Sequence, residues 1–267
     1  MAGEGNLKEC IRRNPHLGEY LKKVKKELGK LPTFHVQLSR DMGGMEELNI
    51  LHPVGDPIFV HIFRDKSGLI KYRAVEPVMN EEEKKKYDTV LDLILEKAPY
   101  RPVPETEEEL KETMSTLLDE CVTFEEEGKS LGKKKVFVTK EEYDKIKYYM
   151  ERDIIGSGTI EPLIRDPYIE DIHSIGLDNI HIIHKIFDMV ETNIRFEDEI
   201  SLMEFLRRMS ERIGRPVSEA HPIVDGALPD GSRINIIFSN DVSRRGSSFT
   251  IRKFSSTPIS LSLIHIS

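Results

Sequence analysis

Between residues 233 and 238 the chain reads Arg-Ile-Asn-Ile-Ile-Phe, a period of two that places Ile234, Ile236 and Phe238 on one face and Arg233 and Asn235 on the other. Phe249, Thr250, Ile251 and Arg252 alternate in the same way. The turn Pro229-Asp230-Gly231 precedes the first of these strands, and the stretch from Ser239 to Gly246 is long enough to bring the second back antiparallel. A hairpin is therefore expected, with Arg233 and Arg252 held outward on rigid backbone and Arg244 and Arg245 on the loop between them.

Upstream, the dominant period is helical. Leu17, Leu21, Val24 and Leu28 give a thin apolar stripe within a polar helix, or two helices, over Leu7 to Leu28. Helices are also expected from Asn80 to Ala98, from Glu105 to Cys121 and from Lys140 to Arg152. Another is expected from Glu199 to Ile213, with Leu202, Phe205, Leu206, Met209 and Ile213 on its inner stripe and Arg207, Arg208 and Arg212 on a solvated outer side. Pro57 to Phe63 and Leu69 to Arg73 flank the turn Asp65-Lys66-Ser67-Gly68 as a second hairpin, and Ile169 to Ile175 and Ile180 to Phe187 read as strands. Leu31 to Leu51 shows little periodicity. The fold class is α+β, with a helical and hairpin region over residues 1–150 and an antiparallel sheet flanked by helices over 151–259.

Charge narrows the functional classes. The 267 residues carry a formal net charge of −8, which argues against nucleic acid as a partner held by a positive field. Residues 223–254 are a local exception, with five basic side chains against three acidic ones. Arginines on such a face suit phosphate oxygens, through the planar bidentate fork of the guanidinium. Glu105 to Glu127 is the opposite case, ten acids and one lysine, and reads as a solvated face or a loosely ordered connector. Cys10 and Cys121 have no metal-ligand spacing, and no run of about 18 apolar residues occurs, so a cytoplasmic chain without metal site, disulfide framework or membrane span is expected. His181 and His184 fall on opposite faces of their strand, which excludes chelation by that pair.

Two apparent phosphate motifs fail on their spacing. Gly128-Lys129-Ser130 ends like a phosphate-binding loop, but the position five residues before Gly128 is Thr123, and Glu125, Glu126 and Glu127 would repel a polyphosphate. Gly156-Ser157-Gly158 lacks the third glycine of a dinucleotide fingerprint, that place being taken by Glu161.

The segments PIVDGALPDGSRINIIF and RGSSFTIRKF, together with DIIGSGTIEPLIRDPYIEDIHSIG from Asp153, resemble the N-terminal half of the type II/IV secretion ATPases, in particular the archaeal archaellum, pilus and secretion branch. The resemblance spans about Pro57 to Ile259. It implies a PAS-like second N-terminal domain over 151–259 whose arginines, here Arg233, Arg252, Arg244 and Arg245, approach the phosphates of ATP held with Mg²⁺ mainly by a following catalytic domain. It further implies a homohexamer at the inner face of the cell membrane, coupled to a polytopic membrane platform protein. The chain has no GxxxxGK[ST] loop and no catalytic His box after it, so no catalytic residue is assigned and this portion alone is expected to be inactive. The last residues, 260–267, resemble the conceptual translation of a sequencing-library adapter and are expected to be a non-native tail. A stand-alone phosphate- or nucleic-acid-binding regulatory module, or a structural adaptor of a membrane assembly, remain as alternatives.

Overall fold

The computed structural model describes residues 2–125, 135–238 and 246–254. Gly128-Lys129-Ser130, Arg244, Arg245 and the tail 260–267 lie outside them. The architecture is mixed α+β: seven α-helices among the described residues and a large, mostly antiparallel sheet.

The chain opens with α1 (Ala2–Arg13) and α2 (Pro15–Leu28), divided where Asn14 precedes a proline at the first position of α2. Then come β1 (Thr33–Phe34), β2 (Asn49–Gly55), β3 (Ile58–Arg64) and β4 (Ile70–Val75). The hairpin of β3 and β4 is as expected; β2 is an additional strand antiparallel to β3 that the sequence pattern did not reveal. Next are α3 (Glu81–Lys97), α4 (Glu107–Cys121), the two-residue strands β5 (Val122–Thr123) and β6 (Val136–Phe137), and α5 (Lys140–Met150). Asn80 and Thr139 start α3 and α5 with reciprocal capping boxes, closed by Glu83 and Glu142. α4 is no loose connector: Met114, Leu117, Leu118 and Cys121 are buried with Val90, Ile94, Tyr143 and Ile146 in a core shared by α3, α4 and α5. Its acids occupy only the outward side.

α5 does not run on as α-helix to Arg152. Glu151–Ile155 widens into a single π turn, and two arginines anticipated as solvated cap it: Arg208 donates to the carbonyl of Asp153 and Arg212 to that of Ile155. After α6 (Glu161–Arg165) follow β7 (Ile169–Ile175), β8 (His181–His184) and β9 (Asp188–Thr192), then α7 (Glu199–Arg212), β10 (Ile223–Ala227), β11 (Arg233–Ile237) and β12 (Ser248–Arg252). β9 and β10 were not anticipated, so the expected two-strand hairpin is the inner part of a three-strand meander.

One ten-stranded sheet runs in the order β1-β2-β3-β4-β9-β8-β7-β12-β11-β10. Its two four- and six-strand parts meet where β4 and β9 pair in parallel through Lys71↔Glu191 and Tyr72↔Thr192. The inner face carries the main core, in which Phe205 and Met209 of α7 lie against Ile236, Phe249 and Ile251. On the opposite face, α1 and α2 cover only the β2–β3 side, burying Leu17 and Leu21 with Leu51 and Phe59.

Candidate functional site

The site follows from the register of the last three strands. Ile234 and Ile236 of β11 and Phe249 and Ile251 of β12 are buried on the inner face, the rings of Phe205 and Phe249 being 5.0 Å apart. Alternation then turns Arg233, Asn235, Thr250 and Arg252 to the other face, as the sequence pattern implied. Arg233 lies directly opposite Arg252 and Asn235 directly opposite Thr250. The arginine side chains are 71% and 77% exposed. Strand pairing also aligns a polar row across seven strands: Asp225, Asn235, Thr250, His173, His181, Glu191 and Lys71.

Two like charges directly opposite on neighbouring strands repel. Here each is met by a carboxylate from the strand beyond: Arg233 Nη2 donates to Asp225 Oδ2 on β10 at 3.1 Å, and Arg252 Nε donates to Asp171 Oδ1 on β7 at 3.0 Å. The order of charges across four strands is therefore minus, plus, plus, minus. The β7 end is built by a bulge, since the register of β7 against β8 shifts between Ile169 and Asp171. Glu170 is consequently exposed although its neighbour Asp171 also faces outward, and both carboxylates stand near Arg252. The hydrogen bond from Arg252 to Asp171 raises the guanidinium pKa further above its ordinary value.

Lys253, one of the five basic residues counted in this stretch, belongs to the other face. Its Nζ donates to the carbonyl oxygens of Leu163, at 3.2 Å, and Asp166, and burial draws its pKa down to about 8. Among the described residues, then, the face carries no positive surplus: Arg233 and Arg252 are balanced by Asp225 and Asp171.

Beneath β12 lies a buried polar group centred on Asp166. Its carboxylate accepts from Tyr72 Oη at 2.9 Å and from the Tyr168 N–H at 2.8 Å, with His52 Nε2 at 3.5 Å. Burial raises this carboxyl, but the His52 ring and the Tyr168 N–H outweigh it and hold its pKa below the ordinary value. His184 stacks on Tyr168, and burial pushes its ring down to about 4. Its folded pKa lies below the unfolded value, so the fold favours the neutral ring. The corresponding stability is complete above about pH 6.5 and is lost as pH falls from 6.5 towards 4. Urea unfolding should show the midpoint falling over that interval. His184→Phe should reduce the slope by up to one proton, about 1.4 kcal/mol per pH unit; an unchanged slope would mean that His184 titrates normally.

The remaining residues singled out in the sequence have structural placements. His181 is exposed and His184 buried, on opposite faces as expected, and His173 Nδ1 lies 3.2 Å from Thr250 Oγ1. Arg207 is exposed, its guanidinium 5.5 Å from the centre of the Phe238 ring. In the Gly156-Ser157-Gly158 turn the Ser157 N–H is taken by Glu161 Oε2 at 2.6 Å, an oxygen that a Cβ on Gly156 would meet, while Gly158 adopts φ +58° beside the Arg208 guanidinium. These glycines serve close packing around α6 and α7. Among the described residues no group of three or more His, Cys, Asp or Glu side chains could hold a metal ion, and no helix is long and apolar enough to cross a membrane.

No family model matches the chain. Its similar proteins include three uncharacterized proteins of Methanocaldococcus jannaschii. One is 49% identical over 268 residues, covering 97% of this chain and 49% of the relative. A second is 32% identical over 183 residues, covering 65% of this chain and 66% of the relative, and the third is 31% identical over 110 residues, covering 40% and 15%. The chain thus spans about half the length of the first relative. Among solved structures, the VirB11 ATPase from the Brucella suis type IV secretion system, crystallised with sulphate, aligns at 20% identity and a TM-score of 0.35. That alignment covers 43% of this chain and 33% of that one, a likeness too slight to assign a role.

Proposed function

We propose that this chain is the N-terminal portion of a hexameric traffic ATPase that powers archaellum or pilus assembly or protein secretion, and that its outer sheet face closes over the phosphates of ATP. The observation that carries the reading is the pair Arg233 and Arg252, directly opposite one another on adjacent strands and most of their side-chain surface open to solvent. The motifs around Asp153 and Ile223 that resemble secretion ATPases support it.

In this reading the base, the ribose and the Mg²⁺ ion are held by a catalytic domain beyond this chain; the Gly156-Ser157-Gly158 turn is internally capped by Glu161. What the chain supplies in this reading is two guanidiniums on a rigid strand pair, fixed from beneath by Phe249 and Ile251. Arginines delivered to a phosphoryl-transfer site from outside the phosphate-binding loop stabilise charge developing in the transition state. The hexamer, a phosphate-contacting role for Arg244 and Arg245, and the coupling to a polytopic membrane platform protein at the inner face of the membrane belong to the same proposal. A nucleic-acid role is disfavoured by the net charge of −8 and by the carboxylates flanking the arginine pair. The test is ATP turnover in an assembly containing this chain and a catalytic domain, with Arg233 or Arg252 replaced.

A further inference from the structure

We infer that Asp171 and Asp225 are withholding residues: they occupy the two arginines in the open state, so that the face takes a nucleotide's polyphosphate only when a ligand outcompetes both carboxylates. The inference rests on the phosphate-facing reading of Arg233 and Arg252 and names a device that regulates that same site.

Three observations meet here. Each arginine already has a carboxylate within hydrogen-bonding distance, Asp225 at 3.1 Å and Asp171 at 3.0 Å. The two acids come from the strands on either side of the arginine pair, one partner per arginine, so the row is neutral as a whole. The β7 bulge turns Glu170 and Asp171 outward in succession at the Arg252 end, adding a second carboxylate where an incoming anion would lie. A triphosphate entering this row meets like charge at both ends and must break two ion pairs. Those pairs differ in hold: the Asp171 side chain is 17% exposed, whereas the Asp225 side chain is 52% exposed. Arg252 is accordingly the more tightly withheld.

An exposed ion pair contributes little net stability and is easily exchanged. Releasing one arginine should therefore tighten anion binding roughly threefold, and releasing both about tenfold, with the gain shrinking as salt screens it. The experiment is titration of the chain with sodium tripolyphosphate and with Mg²⁺-free ATP, at low and at physiological ionic strength, with adenosine as the control lacking phosphate. Wild type is compared with Asp171→Asn, Asp225→Asn and the double variant, and with Arg233→Ala and Arg252→Ala placed in the wild-type and in the double background. Thermal melts of every variant establish that it is folded; Asp225→Asn, at the more exposed position, keeps the comparison informative if Asp171→Asn does not fold.

The expected result is a tripolyphosphate and ATP affinity about tenfold higher in the double variant and unchanged for adenosine, with most of that gain lost on either arginine substitution. If the double variant stays within twofold of wild type while the arginine substitutions weaken wild-type binding, the withholding role is wrong and the arginine face stands. If the arginine substitutions change nothing in any background, the inference falls together with the phosphate-facing reading itself.

Discussion

In a hexamer that joins this chain to a catalytic domain, Arg233→Ala and Arg252→Ala are each expected to lower ATP turnover by about 10³-fold while changing nucleotide affinity far less. The asymmetry follows from position. In the proposed assembly the catalytic domain holds the nucleotide, and the two guanidiniums, most of their surface open to solvent, add little there to ground-state binding. If the proposed closure brings them to the phosphates where charge builds up in the transition state, an interaction made only there appears in kcat. Arg207→Ala is the matched control. Arg207 is also cationic and exposed, but it sits on α7 with its guanidinium near Phe238, away from the arginine pair, and its loss should be nearly silent. A turnover loss equal to that of the control in a folded hexamer would reduce Arg233 and Arg252 to a solvated sheet face.

Phe249→Ala should give the largest loss of stability of any single change in this region, about 3–5 kcal/mol. The ring is 2% exposed and lies 5.0 Å from Phe205 and 6.2 Å from Phe196, centre to centre. Removing it opens a cavity between α7 and the sheet, on the strand that carries Arg252. Against a total stability of about 5–15 kcal/mol such a loss is a large fraction, so the arginine face would lose its support before it lost its charge. Denaturant unfolding monitored by circular dichroism measures it. A cost under about 1 kcal/mol would mean that the site collapses around the vacancy and that β12 is held by pairing alone.

The inner face of this architecture could be read directly from the sequence, because it is written in local periods. The Leu202, Phe205, Leu206 and Met209 stripe of α7 and the alternation of β11 are both buried as the spacing requires. What escaped has physical reasons. β10 reads Ile-Val-Asp-Gly-Ala, in which glycine and aspartate weaken the strand signal; Gly226 is there because a Cβ would come within 2.8 Å of Ile213 Cδ1. β2 contains Pro53, at a bulge in its pairing with β3. The acids of α4 masked an apolar stripe that its helical spacing does contain. At the site, each arginine could be located from its own strand, but its partner could not. Asp171 is 81 residues from Arg252, and only the antiparallel pairing of β7 with β12 brings them together. Lys253, one residue past Arg252, falls on the inner face by the same alternation, where it meets the carbonyls of Leu163 and Asp166.

In the proposed assembly β11 and β12 come against the phosphate chain of bound nucleotide. The most direct measurement is photolabelling of the assembled ATPase with an ATP analogue bearing a short photoreactive group on its γ-phosphate, followed by peptide mapping. The account predicts label on Arg233–Ile237 and Ser248–Arg252, removed by excess ATP. Label confined to the catalytic domain, with none on these two strands in a turnover-competent assembly, would contradict it.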